Sequence, residues 1–319
     1  MRKRVCCFSL VSIVLCMLCL STLAVNAEVY AQSVPWHPPK DYVDPVTLKI
    51  REFKAQGMND AQITSELEKL GMGWYPKTGA TWIGTRPTSE ELERMPPMMP
   101  PFEDESSTSL LSRDYIGALQ FMQTPDFLYS CISNNMKPGS IAAGTGATLF
   151  HFVTTHIGRA ISPTQPCWVE VGVWNDTYFN RPQYYTCDND EDGNWFHGYK
   201  TNVEDFDWYE IWLPGTYESA GWVCWIFING NFVRKGHLAY FYNQVNEANE
   251  IFCTTGQWTN DNTHAIFKDS YLWSPGGSDW IWWNTNVPTD FLFDPYPCPV
   301  HETHYVSGGT YTYETWTWD

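Results

Sequence analysis

Four glutamates stand where a carboxyl could do chemistry, and each is read through the strand that would carry it. In the run 167–174, strand alternation sends Val169, Val171 and Val173 to one side and Trp168, Glu170, Gly172 and Trp174 to the other. The valine side reads as core. Glu170 then stands between two tryptophans and beside a glycine that leaves backbone room. Apolar walls of that kind raise a carboxyl pKa and offer a ligand a surface. The plain alternative is a rim glutamate on an aromatic outer face. Trp208-Tyr209-Glu210-Ile211-Trp212-Leu213 repeats the pattern, with Trp208, Glu210 and Trp212 sharing one side. Asn246-Glu247-Ala248-Asn249-Glu250-Ile251-Phe252-Cys253 offers Glu250, opposite in sense to Ile251 and Cys253, with Glu247 as the fallback. Alternation alone does not choose among them.

Residues placed this way need sheets to hold them. From about residue 108 the chain consists of short β-rich runs, at 150–155, 167–174, 183–186, 208–213, 222–228, from 232 onward, at 264–272 and at 311–318. A helical stripe is possible only over 110–121. Asn229-Gly230 between two apolar runs is a hairpin turn signal. This spacing predicts an all-β domain over 106–319, a two-sheet antiparallel sandwich of concanavalin-like jelly-roll type. A small helical segment precedes it. Asp44-Pro45 starts one helix carrying Val46, Ile50 and Phe53; Asn59 or Asp60 caps a second with Ile63, Leu67 and Leu70, stopped by Gly71. Pro96-Pro97-Met98-Met99-Pro100-Pro101 and the acidic run Glu103-Asp104-Glu105 then form a stiff, solvated connector. Residues 28–105 read either as an N-terminal subdomain with a linker or as a propeptide.

Ahead of it, Arg2, Lys3 and Arg4, an apolar run and the small residues ending at Ala27 read as a signal peptide over 1–27. The expected location is secreted, without stable membrane insertion after cleavage. An uncleaved anchor is the alternative, since the apolar run is long enough to span a bilayer. The formal charge is −17, and −20 without residues 1–27, which hold three basic residues and no acid. That excludes most nucleic-acid binders, which need a basic surface. With 17 Trp, 18 Tyr and 17 Phe the chain has ample core material.

Six cysteines lie beyond the signal: Cys131, Cys167, Cys187, Cys224, Cys253 and Cys298. An even count in an exported chain predicts disulfides, of a pairing the sequence does not specify. Asp188-Asn189-Asp190-Glu191-Asp192-Gly193 approaches a calcium-loop pattern but has Tyr199 at the twelfth position, so a solvated turn is the expectation and calcium the alternative. His301-Glu302-Thr303-His304 is one residue short of the zinc-protease spacing and reads as strand. Asn175-Asp176-Thr177 is a glycosylation sequon, and no Gly-x-Ser-x-Gly elbow occurs. Trp280, Trp282 and Trp283 read as core or strand-edge packing. No metal or cofactor is expected.

The order of Trp168-Val169-Glu170-Val171-Gly172-Val173, then Trp208-Tyr209-Glu210-Ile211-Trp212-Leu213-Pro214, then Ala248-Asn249-Glu250-Ile251 resembles the glutamic peptidases, the fungal eqolisins and plant neprosins. These are β-sandwich acid endopeptidases made as precursors with a propeptide. Glu170 and Gly172 match the first catalytic glutamate of the neprosins, and Glu250 best matches the second. The resemblance implies a polypeptide substrate, with Glu250 as base toward an attacking water and Glu170 as acid or oxyanion partner. Trp168, Trp174 and Glu210 are the substrate-binding candidates. A different class stays open: a carbohydrate-binding, lectin-like sandwich without catalytic activity, whose partner is a glycan. Glycoside hydrolysis by two carboxylates is a third possibility.

Overall fold

The computed structural model describes residues 38–39, 41–86, 88–89, 116–124, 129, 131–138, 149–159, 167–176, 182–188, 203–239, 244–253, 265–274, 279–283, 287–288, 290–294, 301–306 and 312–317. For 116–123, 149–151, 159, 176, 250–253, 290–294, 301–306 and 312–317 it describes the backbone alone. The expected signal peptide, the proline-rich connector, the acidic run at 103–105 and residues 189–193 of the calcium-like loop lie outside these residues.

The helical segment forms where its caps predict. Helix α1, Pro45–Ala55, starts at Asp44, whose carboxylate accepts from the Thr47 backbone N–H at 2.8 Å and from Thr81 Oγ1 at 3.1 Å. Helix α2, Asp60–Lys69, starts on a reciprocal Asn59/Gln62 capping box, and Gly71, at φ 67°, carries the chain out of it. Two short strands follow that the sequence reading lacked: β1 (Met72–Trp74) and β2 (Thr81–Ile83).

The rest is all-β, as expected. The strands are β3 (Ile116–Gln123), β4 (Cys131–Lys137), β5 (Leu149–Arg159), β6 (Cys167–Asp176), β7 (Gln183–Asp188), β8 (Asp207–Trp212), β9 (Tyr217–Glu218), β10 (Gly221–Ile228) and β11 (Asn231–Leu238). Then come β12 (Val245–Cys253), β13 (Ala265–Trp273), β14 (Trp280–Trp282), β15 (Asp290–Asp294), β16 (His301–Val306) and β17 (Thr312–Thr317). The option of a helix over 110–121 is corrected: Ile116–Gln123 is a strand, fixed by antiparallel pairing on both sides with β12 and β15. His301–Val306 is a strand paired with β17, as read.

Among the described residues the strands make two antiparallel sheets. The larger has eleven strands in the order β1, β2, β11, β10, β8, β4, β13, β17, β16, with β9 beside β10 and β14 beside β13. The smaller has six, in the order β15, β3, β12, β5, β6, β7. Between them lies an apolar core that includes Val169, Val171 and Val173 from one sheet and Tyr209, Ile211 and Leu213 from the other. At about 1.5–3 kcal/mol per buried side chain, this alternation fixes the register, because a one-residue slip would turn every valine outward. Asn229 (φ 51°) and Gly230 (φ 70°) make the β10–β11 turn with the positive φ pair a tight hairpin requires.

The helical segment is joined to the larger sheet. Trp82 and Thr81 of β2 pair with Arg234 and Lys235 of β11. The helices bury Val46, Ile50, Ile63 and Leu67 against Phe227 and Phe232 on the outer face of β10 and β11. A cavity of about 330 Å³ lined by Thr64, Glu68, Trp74, Tyr75, Trp82 and Arg86 lies within this segment.

Besides the Tyr184 hydroxyl of β7, which donates to Asp207 of β8, two further polar bridges cross the interior among the described residues. A β-bulge between Ile226 and Phe227 leaves Val233 as the extra residue on β11, so that Val233 and Arg234 both enter the interior. There Arg234, 1 % exposed, meets Asp188 of β7, which is fully buried. Asp188 is therefore strand and ion pair, which corrects its reading as part of a solvated turn. The second bridge is Glu247 of β12, whose Oε1 accepts from Asn134 Nδ2 of β4 at 2.7 Å and from Ser270 Oγ of β13. No disulfide joins Cys131, Cys167, Cys187 and Cys224 to one another, and all four are buried; Cys253 and Cys298 lie beyond the described side chains.

Candidate active site

Glu170 lies on β6 with Val169 and Val171 in the core on either side, so it projects from the outer face of the six-stranded sheet. The rows of that sheet are set by pairing. Cys187 on β7, Glu170 on β6, His156 on β5 and Asn246 on β12 stand side by side. His156 Nε2 lies 2.9 Å from Glu170 Oε2, in a contact that is off-line for a hydrogen bond. His156 is 1 % exposed, whereas the Glu170 side chain keeps 13 %. On the other side, Cys187 is buried, and burial first and the charge of Glu170 second hold its thiol well above the usual range. Cys187 is thus a proton-bearing neighbour, not a thiolate nucleophile.

Trp168 and Trp174 share this face and are 3 % and 2 % exposed, together with Phe152 and Tyr185, which meet edge-on at 5.4 Å. The aromatic surroundings expected of Glu170 are present. Gly172 has a structural role there: a Cβ at that position would collide with the Val153 carbonyl oxygen and Thr154 Cα, so the room it leaves is used by β5.

Glu250 lies in the same sheet. Its backbone is in register with Phe152 on β5, which is in register with Trp174, four residues beyond Glu170 on β6. At about 3.3 Å per residue and 4.8 Å per strand, the Glu170 and Glu250 backbones are roughly 16 Å apart. The fallback, Glu247, is in the inter-sheet core, fully buried and turned away from the Glu170 face. Burial pushes its pKa up to about 7 against the lowering effect of Ser270 and Asn134.

Glu210 does not join Glu170. It lies on the outer face of the other, eleven-stranded sheet with Trp208 and Trp212, opposite in sense to the core residues Tyr209 and Ile211. As a substrate-binding residue beside Trp168 and Trp174 it is therefore misplaced, because the sandwich separates the two faces. Burial holds its carboxyl well above the usual carboxylate range, opposed by a hydrogen bond with Ser133. Sequence reasoning missed His156: its partner is fourteen residues away and is brought alongside only by the β5–β6 register. Among the described residues, no three His, Cys, Asp or Glu side chains converge as a metal site requires.

No protein-family model and no curated protein matches the chain. Solved structures with a similar architecture include a scytalido-glutamic peptidase with a peptide-based transition-state analogue, at 13 % identity and TM-score 0.38, covering 65 % of this chain and 98 % of that one. SCP-B, a member of the Eqolisin family of peptidases in complex with the tripeptide Ala-Ile-His, is 11 % identical with TM-score 0.35 and the same coverage. A κ-carrageenase from Pseudoalteromonas carrageenovora with an oligotetrasaccharide is 12 % identical with TM-score 0.24, covering 63 % and 80 %. At these identities and scores the likeness assigns no activity; what the chain itself displays is a two-sheet antiparallel sandwich with a tryptophan-flanked glutamate on each outer face.

Proposed function

We propose that this protein is a secreted endopeptidase that hydrolyses peptide bonds at acidic pH through Glu170, Glu250 and a water between them. The observation that carries the reading is Glu170 itself. It is a carboxyl on a rigid strand, partly open to solvent, bounded by buried tryptophans and touched by His156. On this reading residues 1–27 direct export and residues 28–105 are a leader, whose described contacts fall on β10 and β11 of the opposite sheet.

The chemistry needs no group beyond these side chains and water. One carboxylate takes a proton from water as its oxygen attacks the amide carbon. The protonated partner hydrogen-bonds the developing oxyanion, then gives its proton to the nitrogen as the C–N bond breaks. Trp168 and Trp174 hold the face in shape. Base and acid are assigned to Glu250 and Glu170 by the resemblance already described.

Cleavage of casein at roughly pH 3–5, where carboxyls titrate, is the test. Glu170→Gln and Glu250→Gln are each expected to lower the rate by about a hundredfold or more while leaving the circular dichroism spectrum intact. Cleavage at the parent rate by both variants would overturn the assignment.

A further inference from the structure

The outer face of the larger sheet carries a second arrangement that peptide hydrolysis does not use. Its rows are set by pairing: Trp282, Tyr271, Ser133, Glu210 and Phe227 form one, and Trp280, Trp273, Cys131, Trp212 and Trp225 the next. The helical segment covers the β10 end, where Trp225 and Phe227 pack, and its cluster reaches Trp212 at the edge of β8. Beyond it, small residues on the central strand β4, Cys131, Ser133 and Asn135, let rings from its two neighbours lean together. Trp208 meets Tyr271, itself in the Glu210 row, at 6.3 Å, and Trp212 meets Trp273 in the next row at 5.6 Å. The aromatic surface continues onto β14, where Trp282 packs on Tyr271 at 5.6 Å and Trp280 on Trp273 at 5.4 Å. Trp282 is 45 % exposed.

Beneath these rings lie polar atoms without a protein partner among the described residues. Glu210 is 5 % exposed and its Oε1 is unbonded, and the indole N–H of Trp280 has no acceptor. A buried polar atom left this way requires a water or ligand partner. Three strand spacings from β8 to β14 give a strip roughly 14 Å long, enough for several sugar rings. Flat aromatic faces over a few hydrogen-bonding atoms match a pyranose, with its apolar C–H faces and equatorial hydroxyls. The net charge of −17 disfavours a polyanionic ligand.

We infer that the Trp208, Trp212, Trp280 and Trp282 face of the larger sheet is a binding site for a neutral polysaccharide, distinct from the Glu170 face. The sugar rings stack on Trp282, which is exposed, and on half-buried Trp280, and sugar hydroxyls or the waters they hold meet the Glu210 carboxyl and the Trp280 N–H. Trp280 and Trp282 pack at a strand edge as read, on Trp273 and Tyr271, and the proposal gives them a ligand as well; Trp283, fully buried, is core as expected.

The test is retention of the full-length protein on insoluble cellulose, chitin, xylan and β-1,3-glucan, with Trp282→Ala, Trp280→Ala and Glu170→Gln alongside the parent. The parent should be retained by at least one polymer, and each tryptophan variant should lose about tenfold in affinity, a loss of one stacked ring's order of magnitude. Glu170→Gln should bind as the parent does, and both tryptophan variants should keep any casein cleavage the parent shows. Binding and cleavage thus fail separately. No retention of the parent on any of the four polymers overturns the proposal, as does a parent-like Trp282→Ala. So does a dimer in solution that Trp282→Ala dissociates, since the face would then be covered by a second copy of the chain.

Discussion

The two outer faces of the sandwich each set a glutamate among tryptophans, yet they treat its carboxyl in opposite ways. On the smaller sheet, Glu170 has a charged-type neighbour, His156 at 2.9 Å, and keeps part of its surface. On the larger sheet, Glu210 has a hydroxyl neighbour, Ser133, and burial raises its carboxyl pKa well above the usual range. The difference comes from the flanking strands. β5 supplies an imidazole opposite Glu170, whereas β4 supplies a serine opposite Glu210 and leaves space for rings to close above it. A tryptophan-flanked glutamate is therefore not one kind of site: Glu170 stands against an imidazole and keeps part of its surface, whereas burial raises the Glu210 carboxyl pKa against its serine hydrogen bond.

The comparison rests on two faces held rigidly back to back, and the largest expected effect comes from breaking that support. Asp188 follows Cys187, a member of the Glu170 row, and reaches Arg234 on the opposite sheet. Asp188→Ala leaves a buried guanidinium without its counter-charge and should cost about 3–5 kcal/mol, seen as a lower urea midpoint at unchanged slope. Adding Arg234→Leu should recover most of that loss. Equal stability of the single and double variants would show that the pair does not couple the sheets.

Next in size is the pH response of Glu247, the glutamate between the two faces. Its folded pKa is about 7, above the ordinary value of 4.5, because burial outweighs the Ser270 and Asn134 bonds. The folded chain thus keeps a proton that the unfolded chain releases. The stabilisation is fully present below about pH 4.5 and is lost as pH rises through about 7, in total on the order of 3 kcal/mol. Urea unfolding from pH 4 to 8 should show this decline, and Glu247→Gln should flatten it. The same decline in Glu247→Gln would assign it elsewhere, with Glu210 next in line because its shift has the same sign.

What the sequence disclosed follows from the range of the signal. Asp44, Asn59, Gly71 and Asn229-Gly230 act within a few residues, so helix starts and the hairpin turn were legible. Strand alternation showed that Glu170 and Glu210 face away from the core, since Val169 and Ile211 mark the inner side locally. Alternation is blind to which sheet a strand joins, so Glu210 could not be separated from Trp168 and Trp174. Contacts made by register were equally hidden. His156 reaches Glu170 across strands, and Arg234 turns inward only because a bulge adds a residue to β11. Strands β1 and β2 are three residues each, too short for periodicity to register.

The smallest effect, and the one that sharpens the contrast most, is at Ser133. It is 1 % exposed and gives Glu210 the hydrogen bond that works against burial. Ser133→Ala should cost about 1 kcal/mol, the net worth of one hydrogen bond. The change removes one oxygen and adds no bulk, so the rings of Trp208, Tyr271, Trp212 and Trp273 keep their seats. With that bond gone, burial acts on Glu210 unopposed, and its proton is held to still higher pH. Stability measured at pH 5 and pH 9 should therefore drop more at pH 9 than at pH 5 in the variant. Glu170 has the sandwich between it and this change, so casein cleavage should stay at the parent rate. A variant that slowed cleavage without a larger loss of stability would mean that the two carboxyls communicate through the core, and the faces would have to be treated as one site.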